Sequence, residues 1–323
     1  MTLEDRRILV TGAAGFIGSN LTDKLLNSGA NVIGIDNLFN GRLENLDKAF
    51  NNKNFHFYKG DIRDFNFLLD IFKDIDIIFH EAAFTSVPQS VIMPESCNDV
   101  NVNGTLNVLN AARKRDVERI IFASSSGVYG DTPTLPKKES MPRIPISPYG
   151  VAKLACEAYM QAFYHVYGLN TLSLRYFNVF GPRQRDSPYS GVIAIWLGKL
   201  ISNNNLIIFG DGDQSRDFTY IKDVIQANIL AVENTISGEI FNIGAGVPIK
   251  VLDLAKLMLK LTNKEDLKII FDPPRPGDIM HSYADISKAK EFLKFQPKYN
   301  QEQGLRDYFK WYFEKYKINL ILN

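Results

Sequence analysis

The chain has 323 residues, 45% hydrophobic and 23% charged, and 37 basic against 36 acidic side chains leave a formal net charge of +1. This is the profile of a globular protein with room for one large or two ordinary domains, and it lacks the basic stripe that a nucleic-acid partner would demand. No apolar run nears the roughly 20 residues of a membrane span, the charged start Met1-Thr2-Leu3-Glu4-Asp5-Arg6-Arg7 is not a secretory signal, and four scattered histidines and two cysteines offer neither a zinc site nor a disulfide framework. A cytoplasmic, metal-free protein is expected, with Cys97 and Cys156 reduced packing residues.

In chain order, Arg7 to Val10 reads as a strand, Gly18 to Ser28 as a helix stopped by Gly29, and Asn31 to Ile35 as the next strand. Phe55 to Tyr58, Ile75 to His80, Arg119 to Ser124, Thr171 to Arg175 and Glu239 to Ile243 continue the strand series between helical patterns. Strands alternating with helices predict right-handed crossovers and a parallel sheet covered on both faces, an α/β fold with a doubly wound parallel sheet. After about Val179 the pattern loosens into Gly181-Pro182-Arg183, Gly210-Asp211-Gly212-Asp213 and Asp272-Pro273-Pro274-Arg275-Pro276-Gly277-Asp278, which predicts a smaller, partly interleaved C-terminal α/β region.

Between the first strand and first helix lies Thr11-Gly12-Ala13-Ala14-Gly15-Phe16-Ile17-Gly18. A glycine turn there lets backbone approach a pyrophosphate, which the free amides and dipole of a helix N-terminus favour. The spacing is GxxGxxG, a variant of the dinucleotide fingerprint, and glycine turns also serve plain packing. Asp36 ends the second strand eighteen residues beyond Gly18, where a carboxylate can accept both ribose hydroxyls of NAD. It would repel the 2′-phosphate of NADP, and Arg42 is the nearby cation. Asp61-Ile62 could meet the adenine or be an ordinary loop.

Ser147 as N-cap, Pro148 in the first turn and Gly168 as stop bracket a helix with an apolar stripe of Leu154, Ala155, Ala158, Tyr159, Ala162 and Phe163. Tyr149 and Lys153, four apart, emerge on one face. They are either accidental neighbours or a phenol activated by an ammonium. A unit charge about 4 Å away at an effective dielectric of about 20 is worth about 4 kcal/mol, enough to turn a phenol into a base near neutral pH. Ser124-Ser125-Ser126 ends a strand at the carboxyl edge of the sheet, where open α/β sheets bind ligands, although strand-end serines can also be mere caps.

At these residues the chain resembles the extended short-chain dehydrogenase/reductase family, and within it the UDP-sugar 4-epimerases. The resemblance spans TGAAGFIG from Thr11, HEAAFTSV from His80, Asn101-Val102-Asn103-Gly104-Thr105, SSSGVYG from Ser124, YGVAK from Tyr149, RYFNVFGP from Arg175, RDFTYIKDV from Arg216 and RPGD from Arg275. It implies a Rossmann-type NAD-binding domain of residues 1–177 plus about 218–244. A nucleotide-sugar domain of about 178–217 and 245–323 would complete the chain. It further implies Tyr149 as base, Lys153 as the residue that binds the nicotinamide ribose and tunes Tyr149, and Ser125 as hydrogen-bonding partner of the sugar O4. Gly12, Gly15, Phe16, Ile17, Gly18, Asp36, Asn37, Asp61, Ile62, Ala82, Ala83, Asn101, Ser124 and Tyr176 are the remaining implied NAD contacts. Ser86, Ser126, Asn178, Val192, Phe209, Arg216, Arg275, Asp278 and Ser282 are implied on the substrate side, with the arginines suited to a diphosphate.

In dehydratases of this family an Asp-Glu pair follows the residue in the Ser125 position; here Ser126-Gly127 follow. The expected chemistry is therefore oxidation and re-reduction at C4 of a UDP-hexose with tightly bound NAD. A large tyrosine four residues past the RPGD aspartate excludes N-acetyl groups in UDP-galactose epimerases. Ser282 stands there, so both N-acetylated and plain UDP-hexoses are expected substrates. UDP-glucuronate epimerisation, another nucleotide-sugar oxidoreductase or lyase activity, and a nonenzymatic NAD-binding regulator are the alternatives. Pairing of the Val100 to Ala112 and Tyr149 to Tyr167 helices across a two-fold axis would make a homodimer.

Overall fold

The computed structural model describes residues 3–184, 191–274, 279–319 and 322. Strands β1 (Arg7–Thr11), β2 (Asn31–Asp36), β3 (Phe55–Lys59), β4 (Ile77–His80), β5 (Arg119–Ser125) and β6 (Asn170–Tyr176) alternate with helices α1 (Phe16–Asn27), α2 (Asp47–Phe50), α3 (Phe65–Ile71), α4 (Val87–Ile92), α5 (Pro94–Asn98), α6 (Gly104–Lys114) and α7 (Pro148–Tyr167). There follow β7 (Asn178–Phe180), α8 (Val192–Ile201), β8 (Leu206–Phe209), β9 (Ser215–Arg216), β10 (Phe218–Tyr220), α9 (Ile221–Glu233) and β11 (Glu239–Ile243). The chain ends through β12 (Ile249–Lys250), α10 (Val251–Leu261), β13 (Ile269–Asp272), β14 (His281–Ser282) and α11 (Gln301–Tyr316).

The main sheet has seven strands in the order β11-β6-β5-β4-β1-β2-β3, every neighbouring pair parallel. The order reverses between β1 and β4, so a crevice opens at their carboxyl ends, the place where such sheets take ligands. Side chains alternate across the sheet as the period of two requires. Ile8, Val10, Ile121 and Ala123 enter one apolar cluster, while Leu9, Ile120 and Phe122 enter the other. Burial on both faces explains why these strands read as continuous apolar runs rather than alternating ones.

Outside the main sheet β7 pairs with β10, β8 with β13, and β9 lies between β12 and β14. β7 and β10 flank the expected boundaries near residues 178 and 218, yet they pair with each other. Trp196 of α8 and Leu305 and Phe309 of α11 belong to the same apolar cluster as Ile8 and Val10. α9 packs directly on β5 and β6 and covers that face of the sheet, with α8 and α11 joined to the same cluster beyond it.

Most expected elements are present with small shifts of their ends. β5 runs on to Ser125, and β4 starts at Ile77. α7 carries the expected Ser147 cap, whose side chain accepts from Gly150 N, and stops at left-handed Gly168. Around Asn101 the outcome differs. Pro94 opens a helical run that passes through a π turn over Asp99–Asn103 before α6. Among the described residues no helix is long and apolar enough to cross a membrane.

A Cβ on Gly18 would stand 2.2 Å from the Gly12 carbonyl oxygen, so α1 meets the turn only through glycine. Gly18→Ala should lower stability by about 1–3 kcal/mol, read as an earlier midpoint in denaturant unfolding. An unchanged midpoint would mean that the helix start has slack.

Candidate active site

The turn after β1 has the geometry of an anion site. Gly12 has φ of +68°, and a Cβ there would lie 2.9 Å from the backbone of Ala82. α1 begins at Phe16 with no side-chain cap on its N-terminus, so its first-turn amides remain available to phosphate oxygens. At the end of β2 Asp36 is buried, and its Oδ1 and Oδ2 accept from Leu38 N at 2.7 Å and Ala14 N at 3.0 Å. Burial pushes this carboxyl above its ordinary range, and the two amides oppose that shift. Each oxygen keeps a lone pair for one hydroxyl of a ribose diol. Arg42, the nearby cation, pairs with Glu44 at 3.3 Å. These residues fit NAD.

Lys153 is buried, and its Nζ donates to Ala123 O at the end of β5 at 2.6 Å. The ammonium lies 4.7 Å from the Phe122 ring centroid and 5.9 Å from that of Tyr149. Ser125 Oγ accepts from Gly127 N at 3.1 Å. The space beside the Gly127 Cα is shared by Ser125 and Tyr149: a Cβ there would be 3.4 Å from Ser125 Oγ and 3.8 Å from two carbons of the Tyr149 ring. Serine, tyrosine and lysine therefore converge on one strand end.

Beneath them runs a fully buried polar network. Ser124 Oγ donates to Glu157 Oε1 at 2.5 Å, and Arg175 clamps both Glu157 oxygens at 2.8 Å. Arg175 also donates to Tyr129 OH at 2.7 Å, which donates to Asn242 Oδ1 at 2.6 Å. Glu157 is four residues beyond Lys153 on α7, so the same helical spacing that flags Tyr149 and Lys153 could have flagged it. Nearer the glycine turn, the ring nitrogens of buried His80 lie 2.8 Å from Thr11 Oγ1 and 2.9 Å from Thr105 Oγ1. Burial, reinforced by the Lys153 charge, lowers His80 to about 3 and keeps it neutral.

In the three-stranded sheet, Ser282 of β14 pairs in register with Arg216 of β9. Arg216 Nη1 donates to Ser215 O and Met280 O at 3.0 and 3.2 Å. Asp217 behind it accepts from Ala245 N, Gly246 N and Ala284 N at 2.7, 3.0 and 3.2 Å, tying three segments together. A cavity of about 460 Å³ next to β8 and β13 is lined by Phe209, Gln214, Phe271, Pro274, Ile279 and Met280, among others. A larger open hollow of about 690 Å³, lined in part by Arg143, Gln161, Glu239 and Lys288, lies near the amino end of β11, away from the carboxyl edge.

Residues 8–244 match the family model described as the NAD dependent epimerase/dehydratase family. The chain belongs to this family. It is 40% identical over 302 residues to the UDP-glucose 4-epimerase of Mycolicibacterium smegmatis, a match covering 93% of this chain and 96% of that one. The UDP-N-acetylglucosamine 4-epimerase of Methanobrevibacter ruminantium M1, solved with UDP-N-acetylmuramic acid, superposes with a TM-score of 0.92 at 39% identity, covering 97% of this chain and 99% of that one. Thermotoga maritima UDP-glucose 4-epimerase, solved with UDP-glucose, gives a TM-score of 0.92 at 39% identity, with 96% and 99% covered. NAD is the cofactor of the family.

Not every residue expected to face the cofactor or sugar has its side chain free to do so. Asn101 is buried and spends its amide on Phe84, accepting from Phe84 N at 2.7 Å and donating to Phe84 O at 3.1 Å. It braces the loop carrying Ala82 and Ala83, because the π turn aims it at that backbone. The Ile62 side chain, expected at an adenine, is buried against Gly104 in the second apolar cluster. Asp61 is locked by Arg63 and by Asn37 Nδ2 at 2.8 Å, and these bonds, the arginine foremost, hold its carboxyl far below the usual range. Ser86 caps α4 by accepting from Gln89 N at 3.2 Å. Ser126 opens the turn after β5, Asn178 opens β7 with an exposed side chain, and Val192 opens α8. Arg275 and Asp278 lie outside the described residues.

One titrating group escaped the motif reading. Glu81 directly follows β4, and Tyr176 OH at the end of β6 donates to its Oε1 at 3.0 Å. Burial raises Glu81 to about 7, against the opposing pull of Tyr176 and Lys153. A carboxyl raised on folding stabilises the fold fully below its unfolded value near 4.5 and loses that contribution as pH climbs through about 7. Glu81→Gln, which cannot ionise, should therefore gain in melting temperature relative to the parent between about pH 5 and pH 8. A difference constant across that range would show that Glu81 stays ionised throughout.

Proposed function

We propose that the chain interconverts C4 epimers of UDP-hexoses through a transient 4-keto sugar, and that it accepts both the glucose/galactose and the N-acetylglucosamine/N-acetylgalactosamine pairs. The observation that carries this reading is the convergence of Ser125, Tyr149 and Lys153 at the end of β5, with Ser126-Gly127 in place of a second carboxylate pair. Proton transfer at O4 is provided for, and the Asp-Glu pair that follows this position in dehydratases of the family is replaced by Ser126-Gly127.

Bound NAD supplies reversible two-electron oxidation at the sugar C4. The glycine turn and α1 amides hold its pyrophosphate, Asp36 takes the adenosine ribose diol, and Lys153, with two of its three donors beyond Ala123 O, meets the nicotinamide ribose. Tyr149 accepts the O4 proton and returns it after the ring turns over, with the Lys153 charge steadying the phenol oxygen. Ser125 already accepts from Gly127 N, so its hydroxyl proton is left to donate to O4. Residues 1–177 with about 218–244 hold the cofactor, and the remainder holds the nucleotide. Arg216 and Arg275 meet the diphosphate, Phe209 packs on the nucleoside in the 460 Å³ cavity, and Asp278 meets its ribose. A firm nucleotide anchor with a looser hexose pocket permits the rotation that epimerisation demands. Ser282 is small and leaves room at C2.

The outer face of α7 exposes Val151, Tyr159, Val166 and Tyr167 at 54, 37, 68 and 50%. An apolar face of this kind supports a two-fold pairing of α7 and its neighbour in a homodimer.

Incubation of the purified protein with the four UDP-sugars, followed by separation of C4 epimers, tests the reading. Each substrate should reach a mixture of epimers without stoichiometric build-up of reduced nicotinamide; accumulation would point to net oxidation instead. Tyr149→Phe should lower turnover by about 10²–10⁴-fold while UDP still binds, and an active variant would remove Tyr149 from the chemistry. Ser282→Tyr should lower kcat/KM for the N-acetylated pair at least about tenfold more than for the plain pair, a difference of about 1.4 kcal/mol or more. Equal loss on both pairs would dismiss the gate.

A further inference from the structure

The loop after β2 presents an aromatic ring in a way that the proposed chemistry leaves unused. Leu38 has φ of +64°, a left-handed conformation that branched side chains adopt only under constraint. The constraint is visible: Leu38 N donates to Asp36 Oδ1 at 2.7 Å, Phe39 N donates to Asn37 Oδ1 at 2.9 Å, and Asn37 is itself tied to Asp61 at 2.8 Å. The product of this bracing is Phe39, whose side chain stays 66% exposed while its ring stacks on Phe84 with centroids 6.5 Å apart and planes at 27°. Phe84 is 5% exposed, and its backbone is gripped on both polar groups by Asn101.

The position of this pair in the sheet gives it meaning. β4 and β2 flank β1, so a contact between the loop after β2 and the loop after β4 must cross the carboxyl end of β1, where the Gly12–Gly18 turn lies. We infer that Phe39 and Phe84 form an aromatic clasp over the bound dinucleotide that slows its exchange with solvent. The inference rests on the cofactor placement proposed above. An epimerase regenerates its oxidised cofactor every cycle and gains nothing by releasing it, so a ring held across the entrance has a use there that it would lack in a dehydrogenase. Phe84, buried and doubly anchored, is the fixed jaw. Phe39, braced on the loop after β2 and 66% exposed, is the solvent-facing jaw.

Holoenzyme loaded with NADH and chased with excess NAD⁺ gives the release rate directly from the loss of bound NADH fluorescence, with no need for turnover. Phe39→Ala should release NADH about 2- to 12-fold faster, the change that an aromatic pair worth about 0.5–1.5 kcal/mol converts to. Phe39→Tyr, which keeps the ring, should release at the parent rate. Melting temperatures of these variants check folding. Asp36→Ala separates the clasp from the placement beneath it. Faster release from Asp36→Ala with no change from Phe39→Ala overturns the clasp alone. Parent-like release from Asp36→Ala overturns the placement and the clasp together. Equal acceleration by Phe39→Ala and Phe39→Tyr also overturns it, because loop disturbance rather than the lost stack would then be the cause.

Discussion

The site depends on how one face of α7 is held against the carboxyl ends of β5 and β6. Tyr149, Lys153 and Glu157 recur every four residues along that face. Lys153 is fixed by Ala123 O, and Glu157 by Ser124 and Arg175. Two opposite charges with no exposed surface are tolerable only when nearly every lone pair and proton is used. Here both carboxylate oxygens and three guanidinium nitrogens find partners. Loss of either partner from such a pair costs about 3–5 kcal/mol, whereas exposed pairs such as Lys250 with Asp213 are screened by water and contribute little. The network sets helix against strand, and the serine–tyrosine–lysine arrangement follows from that setting.

Burial also simplifies the electrostatics around Lys153. His80 and Glu81 are consecutive residues at the end of β4, and desolvation drives each towards its neutral form, the histidine down to about 3 and the carboxyl up to about 7. Lys153 meanwhile keeps a carbonyl partner and two aromatic rings. Its ammonium is thus a fixed positive charge beside the Tyr149 ring. The small sheet of β12, β9 and β14 uses another device. Asp217 is buried and spends its oxygens on backbone amides from two loops, holding β9 so that Arg216 and Ser282 lie side by side.

Much of this was legible because it is local. Strand and helix order, the glycine turn, the Ser147 and Gly168 helix signals, and the four-residue spacing of Tyr149 and Lys153 are properties of contiguous segments, and the family motifs lie on them. That Asp36 ends the second strand was legible too, since the strand pattern stops there.

What the chain order by itself determined was the alternation of strands and helices, the glycine turn between the first strand and helix, and the helix bearing tyrosine and lysine on one face. Only the tertiary structure decided that Asn101 and Ser86 serve neighbouring backbone, that Ile62 packs inward, that Glu157, Arg175, Tyr129 and Asn242 form one network, and that Phe39 reaches Phe84. The reason is physical: hydrogen-bond partnership and desolvation depend on groups far apart in the chain, and spacing along a sequence records period and turn but not which distant atom arrives within bonding distance.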